Sequence, residues 1–247
     1  MSYEFSIKIA GYTGRVEALF ESTPLYLGKY PSEDPPAFSV TIRPEDLQLE
    51  ADALYQEALE EGFRVRQFTD PFLERTAIQR AFAEFLFDRD ILLTHGSTVA
   101  VDGKAYLFTA RSGTGKSTHT RLWMHAFGSR AQMVNDDKPF LQLTEGGVTA
   151  YGAPWSGKHG LDSNIAAPLQ GICLLERGPE NRIQPATPEQ LLHILRKDTY
   201  RPLAPEKESR FLQLTQQLAD TVPLWHMHCN KDLSAATMAY DAMAAEL

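Results

Sequence analysis

Two short stretches near the start of the chain alternate strictly between apolar and polar positions. Phe5-Ser6-Ile7-Lys8-Ile9 and Phe38-Ser39-Val40-Thr41-Ile42 have the two-residue period of strands with one buried face. Pro31, Pro35 and Pro36 interrupt any long strand between them. The period changes at Asp70-Pro71, an N-cap residue followed by proline at the first helical position. Ile78, Phe82, Phe85 and Leu86 then recur at helical spacing, which predicts a helix over 71–87.

Beyond that helix the pattern becomes a run of strands. Residues 91–101 and 104–109 are β-prone and flank Asp102-Gly103, a hairpin signal. Residues 117–127 read as a helix and 131–134 as a short apolar strand. Residues 140–143 and 148–151 flank Glu145-Gly146-Gly147 as a second hairpin, and 171–175 is a buried strand. Thr187-Pro188-Glu189-Gln190 is a capping box that opens a helix. A strand at 222–228 precedes a last helix with Leu233, Ala236, Tyr240 and Met243 on one stripe. Hairpins beside a strand-loop-helix unit give an α/β class with a mixed sheet. The domains expected are a smaller β-rich N-terminal region over 1–88, ending in a helix, and a nucleotide-binding domain over 89–247.

Charge and composition narrow the function. Lys and Arg number 24 against 32 Asp and Glu, for a net charge of -8. No basic run is present, so nucleic acid is not an expected partner. The carboxylates of residues 45–61 occur without one Lys or Arg, as on a solvated face. No apolar stretch approaches membrane-spanning length, the opening residues lack a signal-peptide core, and Cys173 and Cys229 are the only thiols. A cytoplasmic location is expected, with no membrane partner.

The chemistry centres on Ala110-Arg111-Ser112-Gly113-Thr114-Gly115-Lys116-Ser117-Thr118, between a strand and a helix. Gly113 and Gly115 permit backbone angles that turn successive N–H groups inward to cradle phosphate oxygens. The helix start adds the positive end of its dipole. Lys116 is placed to reach the terminal phosphates and Ser117 to put its hydroxyl on Mg²⁺. The strict phosphate-loop pattern has glycine at 110, where this chain has alanine. Ser112, Gly113, Thr114, Gly115, Lys116, Ser117 and Thr118 are the expected nucleotide contacts, with ATP and Mg²⁺ as cofactors.

Other candidates surround this loop. In Asn135-Asp136-Asp137-Lys138-Pro139, Asp136 and Asp137 can divide the work, one holding Mg²⁺ and one accepting a hydroxyl proton. The assignment between them stays open, and Asn/Asp-rich turns also occur as plain solvated loops. His95 lies on the strand expected beside the one entering the loop; a lone histidine is more often structural than catalytic. Lys158, in Trp155-Ser156-Gly157-Lys158-His159-Gly160, could add positive charge beside a transferring phosphoryl group. Arg121 and Arg177 are weaker phosphate-contact candidates. His226 and His228 share one strand face, but no second cluster with ligand spacing completes a metal site.

At His95-Gly96, Ser112-Gly113-Thr114-Gly115-Lys116-Ser117 and Asp136-Asp137 the sequence resembles the HPr kinase/phosphorylase family and its relatives on the phosphoenolpyruvate carboxykinase-type nucleotide fold. The resemblance covers residues 90–178. Within it, Asn135-Asp136-Asp137-Lys138-Pro139 and Tyr151-Gly152-Ala153-Pro154-Trp155-Ser156-Gly157-Lys158 resemble a subgroup of stand-alone HPr-kinase-like proteins. It implies a P-loop mixed-sheet kinase core in which Lys116 binds phosphate and Ser117 binds Mg²⁺. By the same resemblance, His95 and the aspartate pair belong to the phosphoryl-transfer centre. Thr118 departs from the acidic residue that often follows the loop in true HPr kinases. The segment after the aspartates does not reproduce the signature around their protein-substrate site, so HPr itself is not an implied substrate.

The expected function is ATP- and Mg²⁺-dependent phosphorylation of a hydroxyl acceptor, either a small hydroxy metabolite or a serine in a peptide. The alternatives are a carboxykinase-like enzyme and a nucleotide-binding regulator without transfer activity. The N-terminal region is open to acceptor binding or to homo-oligomeric assembly.

Overall fold

The computed structural model describes residues 2–60, 62, 64 and 67–245. The chain divides into two compact units, Met1–Phe85 and Leu86–Leu247.

In the first unit, β1 (Tyr3–Ile9) and β2 (Tyr12–Ala18) form an antiparallel hairpin. Its turn places Ala10 and Gly11 at φ 48° and 85°, the left-handed pair that matches strand twist. A short helix α1 (Ser22–Leu27) follows, and β3 (Phe38–Thr41) then adds parallel to β2. Helices α2 (Pro44–Glu60) and α3 (Asp70–Phe87) complete the succession. The buried set includes Ile7, Val16 and Val40 from the strands and Ile78 and Phe82 from α3. Phe38 stacks on Phe85 with ring centroids 4.0 Å apart and meets Phe82 edge-on at 4.8 Å. A Cβ at Gly14 would lie 2.5 Å from the Phe82 ring, so only glycine allows this approach.

The expectation of a β-rich region therefore holds for the small sheet but misses α2. Residues 45–60 do carry an acidic surface, but on a helix. Glu45 and Asp46 occupy its first turn, where the dipole favours carboxylates. Glu50 is buried and takes a hydrogen bond from Arg80 Nε at 2.5 Å. Glu61, the last acid of that run, lies outside the described residues.

The second unit is built on a mixed sheet of nine strands. In chain order its elements are β4 (Ile91–Leu93), β5 (Ser97–Val101), β6 (Lys104–Thr109), α4 (Lys116–Phe127), β7 (Ala131–Asn135), β8 (Phe140–Thr144), β9 (Gly147–Tyr151), β10 (Ala166–Arg177), β11 (Arg182–Pro185), α5 (Pro188–Asp198), α6 (Glu208–Thr221), β12 (Leu224–Cys229) and α7 (Ser234–Ala244). The main strand order is β4-β8-β9-β10-β6-β5-β7, and β12 joins β10 to β11. Strand β10 runs antiparallel to β9 over its first residues and parallel to β6 and β12 further on, with a register shift between Leu169 and Gly171.

Alternation along the central strands supplies two cores, one on each face. Leu107, Ile172 and Leu174 point to the side covered by α5 and α6, with Leu191, Phe211 and Leu214. Tyr106, Phe108 and Cys173 point to the side covered by α4 and α7, with Trp123, Ala236 and Met243. Trp123 is completely buried, and truncating it to alanine would cost about 3–5 kcal/mol.

Three sequence expectations need correction. Residues 91–101 are two strands rather than one: β4 pairs with β8, whereas β5 pairs with β6 and β7. Between them the backbone bonds outward, Thr94 N to Pro139 O (3.1 Å), His95 N to Asp198 O (2.6 Å) and Gly96 N to Asp137 O (3.0 Å). The strand expected at 171–175 is the middle of the much longer β10. Leu233 stands just before α7 and is exposed, so the buried face of that helix is Ala235, Ala236, Ala239 and Met243, with Tyr240 half-buried. No helix among the described residues is long and apolar enough to cross a membrane.

Candidate functional site

Strand β6 ends at Thr109 and the buried Ala110, and the chain turns through the glycine-rich loop into α4. Gly113 and Gly115 adopt φ 78° and 125°, left-handed values that L side chains resist. Gly115 is the N-cap of α4 and offers no side-chain cap, and the first turn holds no acidic residue. The first N–H groups of the helix and its positive dipole end are thus left uncompensated by side chains, which suits an anion. Nothing stands within 4 Å of a Cβ placed on Gly113, so its surroundings are open.

Two cations hold the loop's carbonyls. Lys116 Nζ donates to Ala110 O at 3.0 Å. Arg177, at the end of β10, donates through Nε to Thr114 O at 3.1 Å and through a terminal nitrogen to Gly113 O. Thr114 N donates to Arg111 O at 3.1 Å, so with these carbonyls committed the uncapped start of α4 is the donor end that the loop presents. Arg121 donates Nε to Ser117 O one turn back at 3.0 Å, an internal helix contact. Ser117 and Thr118 lie half-buried in the first turn of α4, Thr114 is half-buried, and Ser112 is exposed.

The aspartate pair follows β7. Asn135 is fully buried and organises the turn: its Oδ1 accepts from Asp137 N (2.8 Å) and Lys138 N (2.6 Å), and its Nδ2 donates to Ala153 O (2.6 Å). This is an Asx turn with its amide used on both sides, not a solvated loop. Asp136 is also buried, and accepts from Ser97 Oγ at 2.6 Å. Ser97 lies 2.7 Å from Thr120 Oγ1. With its single proton on Asp136, Ser97 accepts from Thr120, so a hydroxyl relay ties α4 to Asp136.

Asp137 faces the more open side. His95 Nε2 stands 3.4 Å from Asp137 Oδ1. Burial pushes the His95 imidazolium down to about 2, and the nearby ammonium groups of Lys138, Lys116 and Lys197 push the same way. His95 is therefore a neutral imidazole, and its contact with Asp137 is no ion pair at neutral pH. The Asp137 carboxyl is raised above the usual aspartate range, chiefly by burial and also by Asp136, against the lowering pull of Lys138 and Lys116.

A further carboxylate, which the sequence pattern did not reveal, stands at the end of α5. Asp198 accepts from Thr109 Oγ1 at 2.6 Å, beside the strand end that opens the loop. Burial raises its carboxyl, while the Thr109 hydrogen bond and the charges of Lys116, Lys138 and Lys197 lower it. Lys116 is thus a neighbour in charge to His95, Asp137 and Asp198 together. Lys138 belongs to the same group. These side chains come from the β4–β5 link, the glycine loop, the β7 turn and the end of α5.

The Trp155–Gly160 segment passes beside the pair. A Cβ on Gly157 would meet Asp137 Cβ at 3.3 Å, and Gly157 has φ 65°. Ser156, fully buried, donates to Asp162. Lys158 itself is exposed, and among the described residues it shows no hydrogen bond or ion pair with either aspartate. The structure brings the backbone of this segment to Asp137 and leaves the Lys158 ammonium in solvent.

No protein-family model matches the sequence, and no curated protein does. Among solved structures, the chain is similar to the Hpr(Ser) kinase/phosphatase from Coxiella burnetii. The identity is 12%, the TM-score is 0.35, and the match covers 62% of this chain and 96% of that one. Likeness at that level carries no chemistry across.

Proposed function

We propose that the protein is an ATP- and Mg²⁺-dependent phosphotransferase that delivers a phosphoryl group to a hydroxyl acceptor. One observation carries this: Lys116 stands in a left-handed glycine loop at an uncapped helix start, and the half-buried His95–Asp137 contact and the Thr109-bonded Asp198 lie within reach of its charge. Phosphoryl transfer needs that combination of a phosphate cradle and a nearby proton acceptor, since it relies on positioning and charge.

The residues fit the nucleotide and its ion. Gly113 and Gly115 supply the left-handed turns, the open start of α4 supplies N–H donors, and Ser117 and Asp136 supply oxygen ligands of the kind Mg²⁺ prefers. The bound nucleotide would supply the transferable phosphoryl group, and Mg²⁺ would neutralise charge on it. Lys116 exchanges its bond to Ala110 O for a phosphate oxygen. Asp136, oriented by Ser97, is the metal-organising carboxylate. Asp137 takes the acceptor hydroxyl's proton, and its raised pKa suits that task better than an ordinary aspartate's. Neutral His95 can hydrogen-bond the acceptor or Asp137 without adding charge.

The test is to incubate the protein with γ-labelled ATP, Mg²⁺, and either a metabolite extract or a serine-peptide pool. Label should pass to a hydroxyl-bearing product with wild type and not with Lys116→Ala. Tight ATP binding with the label retained on ATP across both pools would favour a nucleotide-binding regulator. Release of CO₂ from a carboxylate substrate would favour a carboxykinase-like enzyme.

A further inference from the structure

Strand alternation and sheet register bring together three side chains outside the phosphate loop. His226 and His228 are two apart on β12 and share a face. Strand β10 pairs parallel with β12 so that Glu176 stands opposite His228 and Leu174 opposite His226. Glu176 Oε2 lies 3.5 Å from His226 Nε2 and 3.7 Å from His228 Nδ1, and the two rings are 4.9 Å apart. Among the described residues, this is the one group of three or more His, Cys, Asp or Glu side chains whose ligand atoms all lie within 4.8 Å of one another.

We infer that Glu176, His226 and His228 form a binding site for a divalent transition metal of the Zn²⁺ type. Bond lengths of about 2.0–2.2 Å in a tetrahedral ion require ligand atoms about 3.3–3.6 Å apart. Glu176 Oε2 sits at about that spacing from both imidazole nitrogens. His226 Nε2 is buried and has no hydrogen-bond partner, a state that an ordinary structural histidine avoids and a metal ligand resolves. Two imidazoles and one carboxylate suit Zn²⁺, Ni²⁺ or Cu²⁺ over Mg²⁺ or Ca²⁺, and leave a fourth position for water or a ligand. Glu176 immediately precedes Arg177 on β10, the residue that holds Gly113 O and Thr114 O. It shares no residue with the proposed Mg²⁺ site and does not depend on the kinase reading.

The test uses the full-length chain without a histidine tag, stripped of metal and nucleotide, with Zn²⁺ titrated against a colorimetric chelator. Wild type should withdraw one Zn²⁺ per chain from the chelator, unaffected by millimolar Mg²⁺. His226→Ala and His228→Ala should each weaken binding at least tenfold, and Co²⁺ should give the intense visible absorption of a tetrahedral complex. Asp136→Asn/Asp137→Asn should bind as wild type. If His226→Ala does not fold, His226→Gln and Glu176→Gln are measured instead, with the same loss expected. Equal binding by wild type and the histidine variants, or loss of Zn²⁺ only in the aspartate variant, would overturn the assignment.

Discussion

The two units bury polar groups to different ends. In the first, a buried acid is fully used by the fold. Glu74 is completely buried, yet its carboxylate accepts from Leu19 N, from Phe20 N and from Thr23 Oγ1, which closes the start of α1 against α3. In the second, burial and nearby ammonium groups together hold His95 neutral, and burial that those charges only partly offset holds Asp137 and Asp198 above their usual range. Satisfied burial of this kind contributes to stability, whereas uncompensated burial costs stability and is characteristic of sites kept for chemistry.

The sharpest way to break that contrast is Lys116→Ala. Transfer should fall on the order of 10³-fold in kcat/KM, equivalent to about 4 kcal/mol of transition-state stabilisation. The thermal midpoint should stay within about 2 °C of wild type, because Lys116 is half-exposed and Arg177 also holds the loop's carbonyls. A large fall in thermal stability instead would place Lys116 among the fold's supports.

Asp137→Asn should cost about 10²–10³-fold, the range of a lost general base. The pH profile gives an independent check. Because the Asp137 carboxyl is raised, the base form is lost as pH falls through that raised value. The acid limb of kcat/KM should therefore lie above the ordinary aspartate range and disappear in Asp137→Asn. His95, near 2, adds no limb around neutrality. An unchanged limb in the variant would assign it to another group.

Glu74→Ala leaves two backbone donors and a hydroxyl unpaired, at a cost of about 2–3 kcal/mol in urea unfolding. Activity per folded molecule should be unchanged; a matching loss of transfer would mean that the first unit takes part in chemistry. The smallest effect belongs to Asp198→Asn. A carboxyl whose folded pKa exceeds its unfolded value stabilises fully below the unfolded value, and this contribution is lost as pH rises through the folded value. At neutral pH the ionised group is thus a burden, and the amide, still able to accept from Thr109, should raise the midpoint by roughly 2–4 °C. That gain should vanish in acid.

What the sequence made legible follows from distance along the chain. The loop is a local object: Gly113, Gly115 and Lys116 need only each other, a strand before and a helix after, and α4 begins at Lys116 beside the position read for it. The hairpin at Asp102-Gly103 is local too, with φ 51° and 79° at its two centres. Asp198 was not legible, because a bridge between Thr94 and Thr199 is what carries the end of α5 to the loop. Helix α2 was missed for another reason: of its residues only Leu47 and Glu50 are buried, too few to write a stripe. Glu176 escaped notice since its partners lie across a parallel pairing that alternation alone cannot register.

Strand β10 acts as a ruler for both sides of the candidate site. Its opening residues index the β8–β9 hairpin, from which the Trp155–Gly160 segment departs toward Asp137, and its final residue fixes Arg177 on the glycine loop. One residue inserted or deleted near the Leu169–Gly171 irregularity would slide one wall past the other by about 3.3 Å. Such a change could leave every side chain of the candidate site intact and still part the glycine loop from Asp137.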